Sequence, residues 1–184
     1  MDIGVIIIAI VVIGIVGLLA FLAGRKQRTR HLRDRFGPEY DRVIAKTPDR
    51  KTAEAELEAR EQRRDQFELR PLDPDSAARY QNEWRETQGR FVDSPSEAIR
   101  EADSLITSVM RDRGYPMDHF DQRAADLSVE HPDVVNRYRA AHRIAVANER
   151  GEASTEDLRE AMIHYRSLFE RLIDTGQRTQ ETPR

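Results

Sequence analysis

The sequence predicts an all-α protein: an N-terminal transmembrane helix, charged juxtamembrane and stalk helices, and a C-terminal compact antiparallel helical bundle. Three observations carry this. Ile3 to Ala23 is a charge-free apolar run. Beyond it, apolar residues recur at three- and four-residue steps with no strand-like alternation. Between those stripes stand prolines, glycines and capping residues in the order that starts and stops helices.

At about 1.5 Å per residue the first run covers roughly 30 Å, the thickness of a hydrocarbon core. A cleaved secretory signal would have a cationic N-region, a shorter apolar run and a small-x-small cleavage site. Met1-Asp2 offers no cationic side chain, and no Ala-x-Ala precedes Gly24. Residues 1–24 are therefore read as a retained transmembrane anchor. Gly14 and Gly17 are three apart, so the run lacks the Gly-x-x-x-Gly dimer motif. Arg25, Lys26, Arg28, Arg30, Arg33 and Arg35 follow, offset only by Asp34. Positive flanks stay inside, which places the N-terminus outside and residues 25–184 in the cytoplasm of a single-pass cell-membrane protein. The same six cations are candidates for contact with anionic lipid, although setting topology already explains such a cluster.

Between Arg25 and Arg70, 14 basic residues stand against 10 acidic ones, a net +4; from Pro71 to Arg184, 16 stand against 22, a net −6. Gly37-Pro38 and Thr47-Pro48 interrupt the first region, because the residue before a proline avoids the α conformation. Residues 49–67 are rich in helix formers but poor in large apolar side chains, so this helix has little to bury. Residues 25–70 are read as basic juxtamembrane and stalk helices.

From residue 71 the punctuation sharpens. Asp73-Pro74 puts a capping acceptor before a proline at the first helical position. Tyr80, Trp84, Gln88 and Phe91 then form one stripe. Ser94-Pro95-Ser96-Glu97 has the form of a capping box, launching a helix with Ala98, Ala102, Leu105, Ile106, Val109 and Met110 inward. Gly114 ends it. A short helix around Phe120, Ala124 and Leu127 follows, and after His131-Pro132-Asp133 comes a helix with Val134, Val135, Tyr138, Ala141, His142, Ala145 and Val146 on its inner face. Ser154-Thr155-Glu156-Asp157 caps the last helix, which has the strongest amphipathic pattern: Leu158, Ala161, Met162, Tyr165, Leu168, Phe169, Leu172 and Ile173. Residues 71–174 are thus expected to form the bundle and 175–184 a polar tail.

Composition removes several functions. With no cysteine there are no disulfides, thiolate nucleophiles or cysteine-held metals. Of the five histidines, neither His142 nor His164 follows a glutamate by three residues, as a di-iron bundle requires, and His-Glu-x-x-His is absent. No Gly-x-Ser-x-Gly elbow or phosphate-cradling glycine loop occurs. Neither catalytic nor metal residues are assigned, no cofactor is expected, and a net acidic bundle argues against nucleic acid.

Arg35-Phe36-Gly37-Pro38-Glu39-Tyr40-Asp41-Arg42, together with the stretch from Arg113-Gly114-Tyr115-Pro116 to Glu130-His131-Pro132, resembles an uncharacterised bacterial family of single-pass membrane-anchored helical proteins. The resemblance implies a bacterial origin and this layout, and carries no catalytic residue with it. The expected function is a membrane-tethered cytoplasmic interaction or scaffold module that binds a protein partner or itself, with lipids contacted through the anchor. The alternatives are a membrane-associated enzyme of unknown chemistry and an anionic-lipid surface-binding protein. Connections on rigid scaffolds gather binding residues. Tyr115, Asp121, Gln122, Arg123, Asp126 and His131 are therefore the candidates for partner contact, Arg123 foremost because a guanidinium gives a planar fork to carboxylates.

Overall fold

A computed structural model describes residues 3–178, with side chains at positions 12–17 and 22–174. The described residues form helices α1 (Ile3–Phe36), α2 (Pro38–Lys46), α3 (Arg50–Arg64), α4 (Pro74–Arg90), α5 (Pro95–Asp112), α6 (Phe120–Glu130), α7 (Val135–Glu149) and α8 (Thr155–Arg178), and no strand, so the all-α expectation holds. The chain divides between Glu58 and Ala59, inside α3, into two compact units.

In the first unit α1 ends where Gly37 takes a positive φ of 47° and Pro38 opens α2, as the Gly-Pro pair predicts. Leu32 and Phe36 of α1, Tyr40 and Val43 of α2, and Ala53 and Leu57 of α3 are buried. α3 has little to bury, as its composition predicts. Its apolar residues are few, but they lie four apart on one face, and that face is covered. No helix among the described residues is long and apolar enough to cross a membrane. Most side chains of the expected span, those of residues 3–11 and 18–21, lie outside the described residues. Those described within it include Val12, Ile13, Ile15, Val16 and Leu22, all exposed.

The second unit is built on α4, α5, α7 and α8, with α6 as the short fifth helix. The stripes read from the sequence supply the core: Ala102, Ile106 and Met110 from α5, Tyr138 and Ala141 from α7, Tyr165, Leu168 and Leu172 from α8; Ile99 of α5, outside the predicted stripe, joins them. Trp84 of α4 is buried and stacks on Phe169 at 4.8 Å between ring centroids. Consecutive helices are antiparallel: Tyr80 meets Asp112 and Arg90 meets Glu101 across α4 and α5, and Tyr138 meets Tyr165 while Asp133 meets Arg171 across α7 and α8. The central α5–α8 pair, however, runs parallel, since Asp103 contacts Tyr165 and, a few turns on, Arg113 contacts Leu172. α5 and α8 carry the widest apolar faces, so they meet across the middle, with α4 packed on α5 and α7 on α8.

Caps follow the sequence with one exception. The Asp73 carboxylate accepts from the Ser76 amide at 2.9 Å, and Asp157 accepts from the Ser154 amide at 2.8 Å while Ser154 Oγ accepts from the Asp157 amide at 3.2 Å. The capping box expected at Ser94 and Glu97 is not made. The Ser94 amide already donates to the Arg90 carbonyl at 2.9 Å in the tight turn after α4, so Glu97 has no donor to return to.

Candidate functional site

The segment from Gly114 to His131 is built against the chain that leads out of α3. Gly114, at φ 88°, lies so close to the Glu68 carbonyl oxygen that a Cβ would collide with it. Arg70 donates from its amide to the Arg113 carbonyl at 3.0 Å and from its guanidinium to the Asp112 carbonyl at 2.9 Å. Between α3 and α6 the contact is a ladder of arginines. Arg60 donates to Ser128 Oγ at 3.2 Å, Arg63 to Asp126 at 2.9 Å and also to Asp118, and Arg64 to Glu130 at 2.7 Å. The spacing of 60, 63 and 64 puts the three on one helical face, a signal in the sequence that only gains meaning once α6 is opposite.

This architecture sorts the six candidate partner residues. Tyr115, Asp126 and His131 are 3%, 1% and 5% exposed, so they reach no partner while the bundle is closed. Each has a structural use instead. Tyr115 packs near Phe67, ring centroids 6.2 Å apart. Asp126 holds Arg63 and Gln122, each at 2.9 Å. Burial, with the Arg113 guanidinium nearby, pushes the His131 imidazole down to about 4, so it is neutral at physiological pH. Proline breaks look like surface in a sequence, but here the flanking helices close over them. Asp121 is exposed, and Gln122 and Arg123 are half-buried. Arg123 pairs with neither Asp121 nor Asp126 in the structure. It donates to the Asp118 carbonyl at 3.4 Å, and its Nε is enclosed without a partner.

Sequence reasoning missed the polar cluster behind Arg123. Tyr165 donates to Asp103 Oδ1 at 2.7 Å, and His142 Nδ1 stands 3.7 Å from the same oxygen. Phe120 stacks on the His142 ring at 3.6 Å, with Tyr138 beside it at 4.9 Å from Phe120. Burial raises the Asp103 carboxyl, but His142 and Tyr165 together outweigh it and hold the group below the usual carboxylate range. The carboxylate of Asp103 brings α5, α7 and α8 together, and Phe120 adds α6 through its stacking on His142. No open groove among those described leads to it: they lie between α4 and α8 over Trp84 and Phe169, between α4 and α5, and between α7 and α8. Among the described residues no group of histidine and carboxylate ligands could hold a metal ion.

The six juxtamembrane cations divide likewise. Arg28 pairs with Glu58, and Arg33 pairs with Asp41 at 3.3 Å and lies 5.4 Å from the Tyr40 ring. Arg25 and Arg35 also have contacts within the protein, and all six cations, Lys26 and Arg30 among them, are exposed. Deeper in, Glu54 is the node of the unit. Its Oε1 accepts from Thr29 at 2.7 Å, Tyr40 at 2.9 Å and Arg50 at 2.9 Å. Burial is the largest single influence on this carboxyl and raises it, but the three donors prevail and hold it low.

No family model matches the chain, and no curated protein or solved structure matches it.

Proposed function

We propose that this protein is a membrane-tethered helical interaction module. The first part of α1 anchors it, and residues 25–184 lie in the cytoplasm, where the bundle meets a protein partner or a second copy of the chain. The observation that carries the proposal is the exposure of Val12, Ile13, Gly14, Ile15, Val16 and Gly17, six consecutive residues of one helix. At about 100° per residue they cover the whole circumference, so protein shields no side of this six-residue stretch. Val12 is 53% and Ile13 71% exposed. A large aliphatic side chain left in water forgoes roughly 1.5–3 kcal/mol, and a helix apolar all round belongs in a core or a bilayer. The cation-rich flank on its C-terminal side orients it.

The partner would meet the outer side of α6, where Asp121, Gln122 and Arg123 remain reachable. Tethering raises the local concentration of such a site without any new contact. In membranes from expressing cells the full chain should resist alkaline-carbonate extraction, and protease added to intact cells should leave residues 25–184 uncut. Release by carbonate would remove the anchor, and digestion without permeabilisation would reverse the orientation. Arg123→Ala should abolish cross-links to protein partners in those membranes while the melting temperature stays unchanged; retained cross-links would move the contact elsewhere.

A further inference from the structure

Resting on the membrane-tethered reading, we propose that Lys26 and Arg30 form a contact site for anionic phospholipid headgroups, and that Arg28 and Arg33 do not contribute. Glu58 and Asp41 engage Arg28 and Arg33, and Arg25 and Arg35 also have contacts within the protein. All six cations are exposed, and Lys26 and Arg30 lie one turn apart on α1, so their side chains can meet one headgroup region together.

Depth puts both residues within reach of the headgroups. α1 continues without a break from the apolar run through both residues. At about 1.5 Å per residue, Lys26 lies roughly 3 Å and Arg30 roughly 9 Å beyond Gly24. The headgroup layer extends about 5–8 Å past the hydrocarbon core, within reach of both long side chains. Arg33 and Arg35 begin beyond it. The inner face of the same helix is committed to protein, for Thr29 donates to Glu54 and Leu32 and Phe36 are fully buried. The cationic groups left outward at headgroup depth therefore face phosphate-bearing lipid.

Each cation near an anionic surface gives roughly a fivefold preference. The test reconstitutes the full chain in bilayers mixing phosphatidylcholine with phosphatidylglycerol, extracts it gently, and counts the phosphatidylglycerol retained per chain by mass spectrometry. Enrichment over the bulk mixture of fivefold or more is expected. Lys26→Gln/Arg30→Gln should abolish it, and the charge-matched Arg28→Gln/Arg33→Gln should keep it. No enrichment in the unmodified chain, or equal loss in both double variants, overturns the headgroup site while the tether stands. A chain that does not enter the bilayer overturns the tether and this site together.

Discussion

Residues 59–178 bury a continuous apolar core drawn from α4 to α8, whereas the folded part of residues 25–58 closes six apolar side chains around the carboxylate of Glu54. Both units pack amphipathic helices. The difference lies in what each helix brings: α8 offers eight apolar residues to the interior, and α3 offers Ala53 and Leu57. A unit with so little to bury depends more heavily on directional polar contacts, each modest in net terms and expensive to leave half-made. The larger unit should therefore respond most to lost volume and the smaller one to lost hydrogen bonds.

The largest expected effect is a cavity in the second unit. Leu168 is fully buried at the centre of the α8 face. Leu168→Ala should cost about 2–5 kcal/mol, read by denaturant unfolding of the full chain in detergent. A change near zero would mean that the α5–α8 contact is not the core of this unit.

Acid should separate the two units by pH. His131 is neutral and buried, with a folded value near 4 against an ordinary 6.5. The unfolded chain then binds a proton that the folded one refuses, so stability falls as pH drops from 6.5 towards 4, by on the order of 3 kcal/mol. Glu54 titrates lower: its folded value is depressed from an ordinary 4.5, so its contribution is present above that range and is lost as pH falls through the depressed value. Hydrogen exchange should show α6 and α7 loosening first and α2 and α3 only at lower pH. His131→Gln should remove the upper window alone, and simultaneous loosening of both units would contradict the assignment.

Much of this division was legible in the sequence and part of it was not. The breaks at Gly37-Pro38 and Thr47-Pro48, the caps at Asp73 and Ser154, and every buried position of α8 could be read because local chemistry decides them. The parallel α5–α8 pair could not, since periodicity shows which face is apolar but not which face it meets. For the same reason Tyr115, Asp126 and His131 looked available: their neighbours are distant in sequence, as Arg63 is from Asp126, 63 residues away, and Phe67 from Tyr115. The Asp103–His142–Tyr165 cluster joins three helices, and no spacing within any one of them announces it.

Glu54→Ala is the next smaller effect. It strands the Tyr40 hydroxyl, on a side chain 1% exposed, together with Thr29 and Arg50. A loss of roughly 1–3 kcal/mol follows from orphaning a buried donor. Amide protection over residues 38–58 should drop about tenfold or more while α8 is unchanged, since 1.4 kcal/mol is a factor of ten. Unaltered protection would mean that the six apolar side chains suffice.

The smallest effect sharpens the comparison from the other side. If the first unit were held by charge in general, its surface pairs would matter as much as its buried node. Arg33 and Asp41 are 62% and 70% exposed and 3.3 Å apart, so solvent competes for both and salt screens them. Arg33→Gln should change the exchange of α2 and α3 by less than about 1 kcal/mol, and that little should vanish in high salt. The guanidinium also lies over the Tyr40 ring at 5.4 Å, and glutamine gives up this contact too, which makes the substitution a generous upper bound on the pair. A loss as large as that of Glu54→Ala would show that the unit is fastened at its surface, and the distinction drawn between buried hydrogen bonding and exposed charge would fail.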